Sequence, residues 1–467
     1  MNMNSRFKAR QNRWARGLFT FSLFHLLTFS PFTTAQAQTV WTARQCMQYA
    51  VEHNTQVHRA ALELDNYEAA KLGAIGNLLP SVNAGIGAQY NFGRAIDPET
   101  NTYTDVSTFY NDYSVYALLP VFDGFSRLNA LKAAKASVLM GRNALREQQD
   151  QTALATLQAW VNALYYEGMV TMAEEKQRET DLLLRQTQVL VEVGRKSAAD
   201  FAQIKAQQAE AAYELTHQEN LRASAMLDLK RQMALPLDST VATLVQTAGT
   251  DSTDGWYDAY RQLVSTVQTA GTVHINSWHP ALQQQYHTMQ ARRYEWRQAR
   301  ASLFPSLSLS AGLNTTYYKT LHTKTASSFS DQFKNNMGEY LGATLSIPLF
   351  NRLQTITSIR KAKNNYRIAR ETYEDKQQEL EKLSREAWQD WQAYMKQAAQ
   401  MEEKVEADSL SYQLTRRQFE EGLSTAIDLH TTSTQLLKSK ATLLQCQLMA
   451  MVKHELVRYY NGETIWN

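Results

Sequence analysis

Cysteine, proline and long apolar runs are scarce in this 467-residue chain. Its two cysteines, Cys46 and Cys446, lie far apart and show no spacing typical of a metal site. A disulfide between them is permitted in a secreted protein, but two free, packed thiols are the expected state. Beyond the N-terminal region no stretch approaches about 18 consecutive apolar residues, which excludes a helical membrane domain. With 44% apolar and 20% charged residues, the chain can still bury a core.

The N-terminal region has the features of a secretory signal peptide. Five basic residues precede an apolar run from Leu18 to Phe29, and Ala35-Gln36-Ala37 has the small-x-small form that signal peptidase cleaves. A membrane anchor is the alternative, but the run is shorter than the roughly 20 apolar residues that a spanning helix needs. We expect residues 1–37 to be removed, so that the mature chain begins at Gln38. Loss of the five basic residues lowers the formal charge from +3 to −2, which gives no support to nucleic-acid binding.

Proline is absent from two blocks, one between Pro120 and Pro236 and one after Pro348. Both blocks are rich in Ala, Gln, Glu, Lys and Leu, which favour helices, and the second has only Gly422 within its helical part. Each block predicts a hairpin of two long helices, the first of which runs from about Gly124 to Val193. A helix of roughly 105 Å fits a tunnel wall or an extended scaffold better than a compact globule.

An apolar stripe in the second block supports the helical prediction. Its residues advance by alternating steps of three and four, which is typical of the seam of a coiled coil. The stripe consists of Leu380, Leu383, Ala387, Trp391, Tyr394, Ala398, Met401 and Val405.

The two halves of the sequence repeat one another. The shift that superimposes Pro120 on Pro348 also superimposes many other identical residues, and a slightly shorter shift superimposes Pro80 on Pro305. A constant offset over such a length indicates an internal duplication. The further pairs related by the first shift include Phe122/Phe350, Trp160/Trp388, Tyr166/Tyr394, Gly194/Gly422 and Asp200/Asp428.

This duplication defines the predicted domains. We interpret residues 38–235 as the first structural repeat, 236–273 as a connector and 274–467 as the second repeat. Each repeat consists of a helix, a β-hairpin and a long helical hairpin. The β-hairpins are expected at 81–122 and 306–349, the helical hairpins at 124–235 and 352–460, and a short helical patch of the connector near Trp256–Val264.

Four segments alternate between apolar and polar residues, the pattern of amphipathic β-strands. In the first segment Val82, Ile86 and Tyr90 fall on one face, while Asn83 and Gln89 fall on the other. Each segment has about 9–11 residues, the length that crosses a bilayer when the strand is tilted. The other segments are 113–121, 306–314 and 340–347.

A soluble β-sandwich would show the same alternation. Three features favour a membrane barrel instead: the leader predicts export, the polar face is Gly, Ser, Asn and Gln, and the strands form two hairpins with long polar tips. These tips are Arg94–Asn111 and Lys319–Met337. Four strands cannot close a barrel alone, so several copies of the chain must share one.

No motif in the sequence predicts catalysis, and no enzyme activity, cofactor or metal is expected. Nucleophile elbows, phosphate loops and dinucleotide-binding glycine patterns do not occur in suitable contexts. His53 and His58 are five residues apart, as are His274 and His279, so neither pair shares a helix face as two metal ligands would. We expect surface or interface histidines, and the repeated tryptophans are expected to be packing anchors.

A glycine interrupts each predicted helical hairpin, as a left-handed C-cap does. A serine follows that can cap the next helix, and an aspartate lies six residues after each glycine. The need for a turn fully explains why a glycine stands there, but it hardly explains why an aspartate follows. The residues are Gly194, Ser197 and Asp200 in the first turn, and Gly422, Ser424 and Asp428 in the second.

Together these features resemble the TolC-type outer-membrane efflux family over essentially the whole mature chain. The resemblance rests on the doubled unit, on the Leu-Leu-Pro80-Ser and Leu-Phe-Pro305-Ser strand entries, on the Pro120-Val-Phe and Pro348-Leu-Phe exits, and on the two glycine-aspartate turns. It implies a mainly helical protein with a transmembrane β-barrel, a homotrimer whose twelve-stranded barrel continues through a mixed belt into a twelve-helix periplasmic α-barrel. It also implies contact with outer-membrane lipid, and docking to a periplasmic adaptor protein and an inner-membrane pump.

In that family the inner helical hairpin closes the periplasmic end with an aspartate ring and with tethers from a tyrosine and an arginine. Asp428 and Asp200 match aspartates of this pattern. Phe419 replaces the tyrosine, Ser424 the arginine and Thr431 a second ring aspartate, so closure is expected to rest mainly on helix packing. The resemblance thus predicts a periplasmic gate at Asp428, Asp200 and Phe419, and adaptor contacts at Gly194, Gly422, Ser197 and Ser424.

The leading hypothesis is therefore an exit duct through which substrates pass from the pump to the exterior. A secreted coiled-coil scaffold or adhesin without a pore is the alternative, since it would share the helices. Such a protein has no need of four amphipathic strands of bilayer length. Drugs, metals, dyes and secreted polypeptides all remain candidate cargo.

Overall fold

The computed structural model describes residues 40–97, 101–105, 107–239, 242–243, 278–321 and 328–466. The predicted signal peptide and the helical patch predicted near Trp256–Val264 lie outside the described residues. The first half contains β1 (Val40–Trp41), α1 (Ala43–His53), α2 (Thr55–Gly76), β2 (Ser81–Asn91), β3 (Arg94–Asp97), β4 (Thr102–Asp105), β5 (Thr108–Phe122), α3 (Ser126–Glu192), α4 (Ala198–Gln232) and β6 (Ala242–Thr243). The second half contains α5 (Pro280–Ala301), β7 (Ser306–Thr320), α6 (Phe329–Asn335), β8 (Gly338–Ser346), α7 (Gln354–Glu420) and α8 (Ala426–Tyr460).

Two helical hairpins make up most of the described chain. The helices α3 and α7 have 67 residues each, about 100 Å at 1.5 Å per residue, and the chain returns through α4 and α8 of 35 residues each. The long helix predicted from Gly124 to Val193 is confirmed to within two residues at either end. The bounds of α7 and α8 follow those of α3 and α4 by the same offset that relates the two halves of the sequence. Among the described helices, none combines the length and the hydropathy that a membrane span requires.

The largest hydrophobic core lies where α1, α3, α4 and α8 meet. It contains Trp160, which is 2% exposed and whose indole Nε1 donates a hydrogen bond to the Trp41 carbonyl at 3.2 Å. Trp160 is therefore the packing anchor that the sequence predicts. Cys46 belongs to the same core, and both Cys46 and Cys446 are free and buried, as expected. Burial raises the pKa of the Cys46 thiol to about 12, so this thiol stays protonated.

The predicted apolar stripe of α7 faces inward. Three of its residues are buried and the others are half-buried. The part that includes Tyr394 and Met401 packs against Leu443 and Cys446 of α8, so the stripe forms the seam of the second helical hairpin. The three buried residues are Leu380, Ala387 and Ala398.

The four predicted amphipathic strands form one antiparallel sheet in the order β2-β5-β7-β8. The two β-hairpins are adjacent because β5 pairs with β7 from Thr108 opposite Thr320 to Phe122 opposite Leu307. Both central strands have 15 residues, more than the predicted length. The extra length comes from segments rich in Thr and Tyr, whose alternation is weak but which remain paired across the sheet.

The register separates an apolar face of the sheet from a polar one. Within the described residues, β2 and β8 each pair along one edge only, so both outer edges of the sheet are open. One row across the apolar face is Val82, Ala117, Ala311 and Leu341, and one row across the polar face is Gly85, Ser114, Asn314 and Gly338.

The tips of the β-hairpins contain more structure than the predicted polar loops. The end of the first β-hairpin includes the small hairpin β3-β4, and β5 already begins at Thr108. The end of the second β-hairpin includes α6, whose Phe329 and Phe333 rings lie 6.1 and 5.4 Å from the Tyr113 ring. Aromatic contacts with the apolar face of the sheet hold α6 in place, and the polarity of the segment gave no indication of them.

Candidate functional site

The long helices end at the two predicted glycines in Schellman motifs. Gly194 has a φ of +76° and Gly422 a φ of +84°, in the left-handed region that glycine adopts without steric cost. In the second turn, Gly422 N donates to the Phe419 carbonyl at 3.1 Å, and Leu423 N donates to the Gln418 carbonyl at 2.7 Å. Equivalent bonds close the first turn. The turns at residues 193–197 and 421–425, here called the first and second tips, are thus built alike.

Capping boxes begin α4 and α8. Ser197 caps α4, because its Oγ accepts from Asp200 N at 3.1 Å while Ser197 N donates to Asp200 Oδ2 at 3.2 Å. The prediction that Ser424 caps α8 is wrong, since Thr425 Oγ1 accepts from Asp428 N at 3.2 Å. The box needs its carboxylate three residues after the cap, and Thr425 stands at that distance from Asp428. Ser424 Oγ instead donates to Asp428 Oδ2 at 3.2 Å.

These boxes give both aspartates a structural role that the sequence did not suggest. Hydrogen bonds from Ser197 hold the pKa of Asp200 below its usual range, and those from Thr425 do the same for Asp428. The contribution to stability is therefore present above the pKa of the unfolded chain and is lost as the pH falls through the folded pKa. Both carboxylates are ionised at neutral pH, and Asp428 is exposed to solvent.

Phe419 lies in the core between the two helical hairpins, and its side chain is 1% exposed. Its cluster contains Leu183 of α3, Ile204 of α4 and Leu429 of α8, so all four long helices meet around this ring. From the first tip, Lys196 Nζ lies 3.8 Å from the centroid of the Phe419 ring. Phe419 therefore occupies the predicted gate region as a packing residue.

Polar contacts join the two helical hairpins next to this cluster. Gln207 Nε2 of α4 donates to the Ala426 carbonyl at 3.3 Å, and Arg416 Nη1 of α7 lies 3.7 Å from Glu179 Oε1 of α3. Burial raises the pKa of Glu179, although the neighbouring cations oppose this. The sequence did not predict these contacts, because each joins one repeat to the other and carries no local pattern.

The histidines do not form a metal site in the described part of the chain, which holds no cluster of three or more metal-ligating side chains. His53 and His58 are exposed, as predicted. His279 was expected to be a surface or interface histidine, but it is buried within the chain and its ring lies 4.8 Å from that of Tyr459. Burial lowers the pKa of His279 to about 4, so it is neutral at physiological pH. His274 lies outside the described residues.

The fold, a four-stranded open sheet continued by two very long helical hairpins, is that of solved outer-membrane channels. The CusC structure, described in terms of transmembrane channel formation, is 16% identical to this chain with a TM-score of 0.75. The match covers 90% of this chain and 92% of the CusC chain. The outer membrane protein VceC from Vibrio cholerae is 14% identical with a TM-score of 0.76 and covers 91% and 96%. The CmeC outer membrane channel of Campylobacter jejuni is 14% identical with a TM-score of 0.74 and covers 91% and 87%.

Residues 275–451 also match the family described as outer membrane efflux protein. This match and the structural likenesses confirm the resemblance to the TolC-type outer-membrane efflux family. A comparison with curated protein sequences finds no match.

Proposed function

We propose that the protein is the outer-membrane exit duct of a tripartite efflux or type I secretion system. The observation that carries the proposal is the sheet, which has one apolar and one polar face and whose strands lead into helices about 100 Å long. An apolar outer face would meet lipid, a polar inner face would line a wet lumen, and the helices would extend the lumen into the periplasm. Substrates would pass through without any bond being made or broken.

The open edges of the sheet support a homotrimer. An unpaired strand edge inside a membrane leaves backbone groups without hydrogen-bond partners, so β2 of one chain must pair with β8 of the next. Three chains of four strands give a twelve-stranded barrel. The helices support the same assembly, because Tyr213 of α4 and Leu410 and Leu414 of α7 are more than half exposed in the single chain. Neighbouring chains would cover them in a twelve-helix wall.

The two tips are the proposed docking surface for a periplasmic adaptor protein, which in turn contacts an inner-membrane pump. They lie at the ends of α3 and α7 that are far from the sheet, and most of the residues in both turns are exposed. Gly194 and Gly422 shape these turns, while Ser197 and Ser424 present hydroxyl groups there. The pump, which selects the cargo, would distinguish efflux from protein secretion.

The proposed gate is a ring of three Asp428 carboxylates at the narrow end of the α-barrel. Asp428 supports this role because it is exposed and its hydrogen bonds keep it ionised. Like charges around one axis repel each other and attract cations, above all multivalent ones. Asp200 carries the equivalent charge on the first helical hairpin, and Phe419 packs behind the second tip.

Replacing Asp428 by alanine is expected to reduce the cation selectivity of the pore and to weaken block by a trivalent cation. The measurement is single-channel recording in planar bilayers, with wild type, Asp428→Ala and Asp200→Ala compared. Asp200→Ala is the matched control, because it removes the same capping box from the other helical hairpin. Selectivity changed only by Asp428→Ala would assign the ring to the second helical hairpin. Unchanged selectivity and block in that variant would remove Asp428 from the gate, and absence of any wild-type conductance would contradict the duct.

A further inference from the structure

Lys196 makes a bridge between the two tips of one chain. It stands in the first tip, but its ammonium group lies 3.8 Å from the centroid of the Phe419 ring and 3.5 Å from the carbonyl oxygen of Ser424. Both partners belong to the second helical hairpin. The ammonium therefore joins the two tips through a cation–π contact and a charge-assisted hydrogen bond.

The surroundings of Lys196 make this bridge stronger than an exposed contact would be. Phe419 is almost fully buried, and Lys196 is itself half-buried against the ring. Attraction between a cation and an aromatic face increases when both are removed from water. The carbonyl of Ser424 is also close to the start of the capping box, so the ammonium acts on a well-ordered segment.

The bridge is formed once in each chain, although the two hairpins are otherwise built alike. The offset between the repeats makes Lys196 the counterpart of Ser424, and makes Val191 the counterpart of Phe419. The second helical hairpin therefore has no lysine at the matching position, and the first offers no aromatic ring there. Loss of this one side chain would remove the cationic link at the tips while leaving both Schellman motifs and both capping boxes intact.

We propose that Lys196 is a latch that holds the second tip against the first and thereby sets the resting state of the narrow end of the duct. This proposal rests on the proposed function for its consequence, but the latch itself is a contact within one chain. The chain connects the two helical hairpins far from the tips, through the segment between α4 and α7, so side-chain contacts such as this one hold the tips together. Releasing Lys196 would let the second tip move away, with the Gln207 to Ala426 and Glu179 to Arg416 contacts remaining between the two helical hairpins.

The test compares Lys196→Met with Lys196→Arg and Arg195→Met in the full-length protein. Methionine keeps most of the aliphatic stem and removes the charge, while arginine keeps a cation that packs on aromatic faces. Arg195 is the matched control, because it is an exposed basic residue of the same turn. In planar bilayers, Lys196→Met is expected to raise the open probability about fivefold or more, which is the order of effect of losing a cation–π contact. The other two variants are expected to remain near wild type.

A second measurement tests the latch independently of channel activity, through the distance between the two tips. Spin labels at Val193→Cys and Leu423→Cys, both exposed sites of the two tips, report the distance between the tips of one chain in the detergent-purified protein, when the labelled chain is diluted with unlabelled chains so that most trimers carry one labelled chain. We expect one narrow distance distribution in the wild-type background and a broader, longer one with Lys196→Met. An unchanged distribution, or equal broadening by Arg195→Met, would overturn the latch. Broadening confined to Lys196→Met in a protein that never conducts would support the latch and contradict the proposed duct.

Discussion

Replacing Leu341 by arginine is expected to prevent stable insertion of the protein into the outer membrane. Leu341 lies near the middle of β8, points to the apolar face opposite Ala311, and is 84% exposed in the single chain. An arginine that faces lipid near the bilayer midplane costs about 2–4 kcal/mol, and a trimer carries three of them. We expect the variant to be absent from the outer-membrane fraction and to yield no heat-modifiable oligomer on gels.

The matched control for this prediction is Thr344→Arg in the same strand. Thr344 is also exposed but lies on the polar face, opposite Ser308. If that face lines a lumen, the arginine stays in water and insertion should remain near the wild-type level. Equal loss of both variants would show that arginine harms the strand itself, and normal insertion of Leu341→Arg would contradict the assignment of the faces.

Replacing Trp160 by alanine is expected to cause a large loss of stability. The indole fills the core where α1, α3, α4 and α8 meet, and its Nε1 donates to the Trp41 carbonyl. Truncation of a buried aromatic residue to alanine typically costs about 3–5 kcal/mol, through lost transfer free energy and the cavity left behind. The Trp41 carbonyl would also lose its partner. Thermal unfolding of the purified protein, followed by circular dichroism, measures the effect.

Trp388 provides the control, because it occupies the equivalent position of the second repeat. Its side chain is only half-buried and packs against Trp391 at a ring distance of 5.2 Å. Trp388→Ala is therefore expected to lower the midpoint of unfolding by much less than Trp160→Ala. Equal shifts would show that the core around Trp160 contributes no more to the stability of the protein than the environment of Trp388 does.

The long helices and the four main strands could be predicted because their signals are repeated over many residues. The helices are indicated by two blocks without proline and by an apolar stripe with steps of three and four, and the strands by period-two alternation. Each of these patterns extends over several helical turns or recurs in several strands. The structure has α3 from Ser126 to Glu192 and β2 from Ser81 to Asn91, close to the predicted bounds. Errors appear where alternation weakens, as in the added residues of β5 and in α6.

The candidate site could be predicted only in part, because its geometry depends on register and on distant contacts. The glycine turns were evident, since a single glycine in a helical block has few alternatives. Attention to the spacing of the capping box would have identified Thr425 in place of Ser424. The contact of Lys196 with Phe419 joins the first repeat to the second, and neither residue type signals the other in a single sequence.

Native mass spectrometry of the mature protein in mild detergent tests whether several copies of this chain share one barrel. The open edges of β2 and β8 require partners, and four strands per chain become twelve in three copies. We expect a single dominant species with three times the mass of the chain that begins at Gln38. A folded monomer that forms no trimer at any protein concentration would contradict the shared barrel.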